Sequence, residues 1–429
     1  MSKNKTGFSL LTLTCLVIGN MIGAGVFTTS GFALADLGTP NRVMLGWLIG
    51  GVIALCGALS YGALARRMAE SGGEYLFLSR LIHPLIGFLA GWVSLLAGFT
   101  GALAFAALAF ESYLPARPAW LPAGLPAGSV AILAVLFFTA LHVIRLDLGA
   151  VSQNLIVIVK LVMLVVFLLF AVRTPMASAS DLPAPPLSIT ALAGSLVWIS
   201  LSYSGFNAAV YVAGEARDAR VMVPRALWLG TLITMCFYLA LNAIFVYWPA
   251  QSVVAGQEDI AAVAAQSIGG VWLASFVRAI IALALCTSIS AMLMAGPRVY
   301  AQMAADGVLP RLFRFQGAVP RAAILLQAAL TILVIAFSNL KGLLTYLGFT
   351  LSLSAALTVA SLFVLRHREG EKVVVTGYPF TPAIYVGATL LFALLAVRRN
   401  PWEVAGTVVT VLSGVPVYLL MRRKAEPNK

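Results

Sequence analysis

The chain has 429 residues, of which 61% are hydrophobic and only 10% are charged, and its mean hydropathy is +0.97. Soluble domains carry about 25% charged residues, so this composition excludes a soluble protein and predicts an integral membrane protein. The net charge of +13 would be compatible with nucleic-acid binding. Because the basic residues follow the membrane topology described below, we expect no nucleic acid partner.

Apolar runs of about 20 residues, the length that crosses a bilayer, recur along the whole chain. They predict an all-α protein of about twelve transmembrane helices, a single membrane domain over residues 1–429 that is surrounded by lipid. The predicted spans are 8–35, 42–66, 85–114, 128–146, 149–172, 190–213, 224–248, 271–300, 322–338, 342–366, 379–397 and 402–421. The short leader MSKNKTG lacks a small-residue cleavage site, which predicts a retained first span and not a signal peptide.

The distribution of basic residues indicates the orientation. With the N-terminus inside, 20 of the 28 lysines and arginines fall in segments that face the cytoplasm. Six fall in outer segments: Arg42, Arg117, Arg173, Lys341, Arg398 and Arg399. The positive-inside rule therefore predicts cytoplasmic N- and C-termini and an even number of spans.

Residues that bind metals or catalyse reactions are sparse. The cysteines lie alone in apolar spans and the histidines lie at inner loops or span ends: Cys15, Cys56, Cys236, Cys286, His83, His142 and His367. This spacing offers no metal site and no disulfide framework, and the segment GAGVFT lacks the final glycine and the preceding strand of a nucleotide-binding loop. We expect no enzyme activity, no cofactor and no bound metal.

The first span is interrupted by glycines. The stretch IGNMIGAGVFTTSGF, residues 18–32, carries Gly19, Gly23 and Gly25 at its centre. Each glycine costs a helix about 1 kcal/mol relative to alanine. A weakened centre in an otherwise apolar span predicts a broken helix.

Span six has a similar flexible centre, residues 202–205, within SLSYSGFNAAVYVAGEARDARVMVPRAL. Two units of five spans that each begin with a broken helix are typical of an inverted repeat, and such paired breaks indicate a transporter's binding site. The alternative is that small residues only let helices pack closely. We favour that alternative for Gly46 with Gly50 and for Gly87 with Gly91, and the broken helix for the centres of spans one and six.

Four stretches carry a resemblance to the amino acid/polyamine/organocation superfamily of transporters. IGNMIGAGVF resembles its first-helix motif, and ESGGEYLFLSRLIHPLIGFLAGW is similar to its inner loop leading into span three. SYSGFNAAVYVAGEARDARVMVPRAL resembles its sixth helix and the following loop, especially in the L-type amino acid transporter branch and its bacterial relatives. GPRVYAQMAADGVLP resembles the end of span eight, so the resemblance runs from about residue 8 to residue 370.

The resemblance implies the leucine-transporter fold. In that fold spans one to five, residues 8–172, and spans six to ten, residues 190–367, form the two inverted repeats. Spans eleven and twelve, residues 379–421, are then peripheral.

The physical chemistry of a broken helix indicates what the site binds. Main-chain groups freed at the bilayer centre need partners, and a substrate can supply them. The positive N-terminal end of the second half-helix of span one suits a carboxylate, and the carbonyls that end the first half-helices suit an ammonium. The expected substrate-binding residues are Ile22, Gly23, Ala24, Gly25 and Val26 in span one and Leu201, Tyr203, Ser204 and Gly205 in span six.

Two departures from the family pattern concern this site. Ala24 stands where the L-type branch often has a serine, so carboxylate binding depends on main-chain groups. Leu201 stands where the family commonly has a large aromatic gate. Phe27, Tyr203 or Phe206 could close the site instead, and packing in the core is an equal alternative for these aromatics.

The expected selectivity follows from the residues around the site. The small residues of span three could widen a side-chain pocket, although helix packing explains them equally well: Ala97, Gly98, Gly101 and Ala102. All 15 acidic residues lie in predicted loops or near span ends, and a cationic side chain would need an anionic partner at depth. We therefore expect neutral amino acids, while Arg278 in span eight, which could also lie at the outer interface or face Glu111, keeps acidic substrates as an alternative.

Lys160 is the most unusual residue of the chain. It lies about 16 Å into span five by helical rise, too far for its side chain to reach the headgroups. An ionisable residue at this depth is a functional hypothesis by default, and a lysine with a structural role is the alternative. By resemblance, relatives without sodium coupling place a lysine on span five, where it bridges spans one and eight and supplies the charge that Na⁺ supplies in other members.

The sequence thus predicts a sodium-independent secondary carrier of neutral L-amino acids, either an exchanger or a proton-linked carrier, that works by alternating access. Carriers of cationic or acidic amino acids or of polyamines are the alternatives on the same fold, and a channel is the alternative of another class. The alanine-rich chain with short loops is typical of a bacterial protein of the inner membrane. We expect no obligatory partner subunit.

Overall fold

The computed structural model describes residues 7–114, 126–144, 149–176, 186, 188–315, 319–338, 340–397 and 401–425. In this part of the chain the secondary structure is helical, and the only β pairing is an isolated bridge between Phe8 and Ala216. Of the outer basic residues that indicated the orientation, Arg117, Arg398 and Arg399 lie outside the described residues.

The described residues form sixteen α-helices. They are α1 Leu10–Met21, α2 Ala24–Leu37, α3 Pro40–Arg67, α4 Gly73–Leu81, α5 Pro84–Val93, α6 Ala102–Tyr113, α7 Ser129–Ile144, α8 Gly149–Ala171, α9 Ile189–Ser202, α10 Ala219–Tyr247, α11 Gln251–Val254, α12 Ile260–Ala305, α13 Arg321–Phe337, α14 Leu340–Glu369, α15 Phe380–Val397 and α16 Pro401–Ala425. A π-helical segment, Ser94–Gly101, joins α5 to α6, and a 3₁₀ helix, Ala208–Glu215, follows α9.

Eight of the described helical segments are long and apolar enough to cross a membrane. They are Leu10–Leu37, Pro40–Arg67, Pro84–Tyr113, Asn154–Ala171, Ala219–Tyr247, Ile260–Ala305, Gly342–Lys372 and Val404–Met421. Four shorter apolar helices lie at the remaining predicted spans: Ser129–Ile144, Ile189–Ser202, Arg321–Phe337 and Phe380–Leu395. The all-helical membrane architecture is therefore confirmed, whereas the count of twelve spans and the division into two repeats stay predictions.

The structure differs from the sequence prediction at three places. The α-helix of span six ends at Ser202, as the predicted interruption at residues 202–205 requires, but the part expected to continue to residue 213 consists of turns and a 3₁₀ helix. The long helix α12 begins at residue 260, and Gly269 and Gly270 are non-helical within it. The π-helical segment in span three has no counterpart in the sequence prediction.

The helices pack with the broken ones at the centre. α1 packs against α8, α10 and α12, while α2 packs against α9 and α12. α10 also lies along α3, and α14 lies along α9 and α15. Large apolar side chains on the outer faces of α7, α8, α15 and α16 are exposed, as expected for surfaces that contact lipid: Phe137, Leu155, Leu169, Leu394 and Leu412.

The two ends of the bundle can be told apart by their contacts. At one end the N-terminal segment pairs with the residues after the 3₁₀ helix: Phe8 N–H donates to the Glu215 carbonyl (2.9 Å) and Arg217 N–H donates to the Phe8 carbonyl (3.2 Å). We call this the proximal end. At the other, distal end the Gly256 N–H donates to the Gly31 carbonyl (2.8 Å), which ties the segment after α11 to α2.

Candidate functional site

The first helix break lies between α1 and α2. Ile22 (φ −76°, ψ 82°) and Gly23 (φ −120°, ψ −154°) leave the helical conformation, and α2 begins at Ala24. The first N–H groups of a helix have no intrahelical acceptor, which at α2 applies to Ala24, Gly25 and Val26. These amides form the positive end of α2 at the centre of the bundle.

The second break follows α9 and touches the first. The Ser204 N–H donates to the Leu201 carbonyl (2.9 Å), which closes a tight turn before Gly205. At Gly205 the φ of +95° disfavours any other residue, and an added Cβ would lie 3.0 Å from the carbonyl carbon and oxygen of Asn20. Glycine therefore permits both the turn and the close approach of the two interrupted spans.

On the distal side of the breaks, α2 and α9 are in direct contact. A Cβ on Gly25 would lie 2.6 Å from Ser202 Oγ, and Thr29 Oγ1 lies 2.9 Å from the same oxygen. The rings of Phe32 and Trp198 pack one turn further along, with centroids 5.9 Å apart. These contacts close the distal end of the site.

Tyr238 of α10 connects both breaks. Its hydroxyl lies within hydrogen-bonding distance of the Met21 carbonyl and of the Ser202 carbonyl, the latter at 2.9 Å, so its single proton can serve either one. The ring is fully buried between Trp47 and Tyr203, with centroid distances of 5.3 Å and 4.9 Å. Tyr238 was not among the expected site residues because span seven shows no interruption, and an aromatic hydroxyl in an apolar run is a weak signal.

Lys160 of α8 lies beside the first break. Its side chain is fully buried, and Nζ donates to the Ile22 carbonyl (3.2 Å) and to Thr287 Oγ1 (3.3 Å). The hydroxyl of Ser288, on the same helix as Thr287, lies 3.4 Å from the Gly19 carbonyl and 3.1 Å from the Ala284 carbonyl, so its single proton can serve either one. The ammonium thus joins α8, the end of α1 and α12 at a carbonyl that the break has freed from the helix.

A cavity of about 110 Å³ lies between the breaks and the proximal end. A single water needs about 10–15 Å³ by this measure, so the cavity can hold a small organic solute. Six of the residues expected in the site line the cavity: Gly98, Ala102, Tyr203, Ser204, Gly205 and Phe206. The cavity is also lined by residues of spans one, six, eight and ten, namely Asn20, Ser200, Met292 and Ser352.

The remaining expected residues do not line this cavity. They are Ile22, Gly23, Ala24, Gly25, Val26, Phe27, Ala97, Gly101, Leu201 and Lys160. Leu201 packs against Gly348, and Gly101 packs against Leu347. The Phe27 ring is 1% exposed and Ala97 is fully buried. The burial of Phe27, Ala97 and Gly101 is compatible with the packing alternative. Leu201 was expected to bind through its main chain, and its side chain is also packed.

Glu74 corrects the expectation that the site offers no anionic group. It lies in the first turn of α4, is only 4% exposed and lines the cavity. Its carboxylate accepts hydrogen bonds from the Tyr61 hydroxyl (2.9 Å), Asn207 Nδ2 (2.5 Å) and the Tyr211 hydroxyl (2.8 Å). The sequence placed Glu74 in an inner loop, and only the fold brings that loop against the segment after the second break.

Arg278, the residue that kept acidic substrates open, does not line the cavity and does not face Glu111. It forms an ion pair with Asp259 at 3.1 Å, and both side chains are partly exposed. Glu111 instead accepts from the N–H groups of Gly128 and Ala131, each at 3.0 Å, at the start of α7.

Comparison with known proteins agrees with this architecture. The amino acid permease family profile matches residues 8–416. The serine/threonine exchanger SteT of Bacillus subtilis is 25% identical over 98% of this chain and 98% of its own length. The large neutral amino acids transporter small subunit 2 of Rattus norvegicus is 24% identical over 97% of this chain and 80% of its own length. The cystine/glutamate transporter of Homo sapiens is 25% identical over 97% and 85%, respectively.

These relatives are transporters and exchangers, not enzymes, and the apolar helices make the chain a multi-pass membrane protein. Because the family profile covers nearly the whole chain, this protein belongs to the amino acid permease family of the amino acid/polyamine/organocation superfamily.

Proposed function

We propose that the protein is a sodium-independent secondary transporter of neutral L-amino acids that works by alternating access, as an exchanger or a proton-linked carrier. The observation that carries this proposal is the pair of touching helix breaks, with Lys160 donating to the carbonyl freed at the first of them. In the proposed topology twelve spans contain two inverted repeats of five, and spans eleven and twelve are peripheral.

The main chain at the two breaks would hold the part common to all α-amino acids. Once α2 separates from α9, the carboxylate would accept from the amides of Ala24, Gly25 and Val26 at the positive end of α2. The ammonium would donate to carbonyls at the ends of the first half-helices, including those of Tyr203 and Ser204. A substrate bound there would pair main-chain groups whose burial without partners costs several kcal/mol each.

The contacts at the two ends support an alternating mechanism. At the distal end α2 is held by Ser202, Trp198 and the Gly256 segment, while the cavity lies on the proximal side of the breaks. If the proximal end is cytoplasmic, as the basic residues predict, this arrangement corresponds to a carrier with its outer side closed. Transport would then require α2 to separate from α9 while the proximal side closes.

Neutral substrates remain our proposal over cationic, acidic or polyamine ones. Arg278 is paired outside the cavity, which removes the expected partner for an acidic side chain. Glu74 already accepts three hydrogen bonds from neutral side chains, which leaves about one acceptor position and supports a neutral donor over an ammonium or a polyamine. The names of the relatives point to different substrates, namely serine and threonine, large neutral amino acids, and cystine with glutamate. A channel is not favoured, because the distal contacts close one side of the site.

We also propose that the chain lies in the inner membrane of a bacterium, with both termini in the cytoplasm, and that it works without an obligatory partner subunit. One relative is named an exchanger and another a small subunit. The alanine-rich, short-looped sequence supports a transporter that works as a single chain, without a second subunit. Transport by the purified chain alone would test this directly.

The test is exchange in liposomes that contain only the purified protein and a preloaded amino acid. We expect saturable counterflow of neutral amino acids that is unchanged when choline replaces Na⁺. Lys160→Met removes the ammonium at similar length and leaves the Ile22 carbonyl without its donor, a cost of about 1–3 kcal/mol. We expect exchange by this variant to fall by about tenfold or more.

The matched control is Lys372→Met, which removes an exposed lysine from the short 3₁₀ helix after α14. It should exchange like the unmodified protein. A requirement for Na⁺ would contradict the proposed sodium independence, and full exchange by Lys160→Met would contradict the proposed role of Lys160. Flux that does not saturate would instead favour a channel.

A further inference from the structure

The proximal end of the cavity is set by two glycines that precede a buried carboxylate. Gly72 (φ +138°) and Gly73 (φ +55°) turn the chain sharply into α4, and a Cβ on Gly73 would overlap the ring of Tyr211. This turn brings Glu74 against the segment after the second break, where it faces the cavity. The local sequence SGGEY is therefore shaped to place a carboxylate at this point.

The partners of Glu74 are neutral. Its two oxygens accept from the hydroxyls of Tyr61 and Tyr211 and from the amide of Asn207. In the part of the chain that the structure describes, the ion pairs join other residues and none includes Glu74. Buried carboxylates are usually paired with a cation or hydrogen-bonded, and the described partners of Glu74 are neutral donors.

The number of hydrogen bonds shows how much is missing. An ionised carboxylate offers about four lone-pair positions. Oε1 accepts two bonds, from Tyr61 and Asn207, while Oε2 accepts one, from Tyr211. About one acceptor position on Oε2 is therefore left for a donor that enters the cavity.

We propose that Glu74 is a specificity-determining residue that accepts a hydrogen bond from the substrate's side chain. The protein then prefers amino acids whose side chain ends in a donor, a hydroxyl or an ammonium, over apolar side chains of the same size. This inference rests on the proposed function, since it assumes that an amino acid enters the cavity. A hydroxyl has one proton to donate and fits the single open position, whereas an ammonium carries three donors.

The test compares isosteric competitors of exchange in liposomes, measured first on the unmodified protein. The pairs are threonine with valine, serine with 2-aminobutyrate, and ornithine with norleucine. Because hydrogen bonds to charged groups are the stronger ones, we expect threonine to compete at about tenfold lower concentration than valine. If ornithine is the strongest competitor, the donor is an ammonium. This result would overturn the proposed class of neutral substrates but not the role of Glu74.

Glu74→Gln should reduce the threonine preference to within about threefold, because the amide replaces one acceptor oxygen with a donor. The matched control is Glu70→Gln, four residues earlier, where the exposed carboxylate pairs with Arg80. This control should keep the full preference. Thermal melting of both purified variants reports whether they fold. If Glu74→Gln does not fold, the comparison of threonine with valine on the unmodified protein still tests the inference.

Equal competition by threonine and valine would overturn the inference, as would an undiminished preference in folded Glu74→Gln. These outcomes leave the proposed function in place, because exchange is still observed. If no amino acid is exchanged at all, the proposed function itself fails.

Discussion

Replacing Gly205 with alanine perturbs the contact between the two broken spans. A left-handed φ such as the +95° of Gly205 costs other residues about 1–2 kcal/mol. The added Cβ would also lie 3.0 Å from the carbonyl carbon and oxygen of Asn20. Overpacking of this kind costs about 1–3 kcal/mol, so we expect Gly205→Ala to lose roughly 2–5 kcal/mol of stability.

The assay is the apparent melting temperature of the purified protein in detergent, at one scan rate because unfolding of large proteins is often irreversible. Gly98→Ala is the matched control, since Gly98 lines the same cavity but a Cβ there would make only ordinary contacts, the nearest with Leu351 Cδ2 at 3.6 Å. We expect Gly205→Ala to melt about 2–6 °C lower than the unmodified protein. The control should stay close to the unmodified value.

Exchange in liposomes provides the second readout. If the contact between Gly205 and Asn20 holds the breaks together, Gly205→Ala should also exchange more slowly than the control. A variant that melts and exchanges like the unmodified protein would refute the claim that this position requires glycine.

Two further predictions concern the groups that hold the breaks and the proximal end. Tyr238→Phe keeps the ring but removes the hydroxyl shared by the two break carbonyls. The free energy of unfolding should fall by about 1–3 kcal/mol, and the melting temperature and the exchange rate should fall with it. Unchanged values would mean that this hydroxyl is dispensable. Arg298→Met removes the ion pair that joins α12 to Glu215 (2.5 Å). Because Glu215 is 42% exposed, stability should change by less than about 1 kcal/mol. A thiol reagent should nevertheless label a cysteine placed at Ser204 faster in this variant, built in a cysteine-free background; slower or equal labelling would show that the pair does not restrain the proximal end.

The features that sequence analysis identified are local ones. Glycines at the centre of an apolar span weaken the helix wherever the rest of the chain lies, so the interruptions near Gly23 and Gly205 could be read directly. Lys160 was conspicuous for the same reason, because an ionisable residue deep in an apolar run is costly in any fold.

The features it missed depend on contacts between distant parts of the chain. Glu74 meets Asn207 across 133 positions, and Tyr238 meets Met21 across 217. No periodicity or motif reports such contacts. The residues that face the cavity also depend on which end of the bundle is closed, so Gly25, packed against Ser202, does not line it.

The most direct test of the account is an experimental structure with an amino acid bound. We expect its carboxylate within about 3 Å of the amides of Ala24, Gly25 and Val26, and its ammonium at similar distances from carbonyls at the second break. An amino acid bound elsewhere, with the main-chain groups of both breaks left without it, would contradict the central claim that the broken helices form the substrate site.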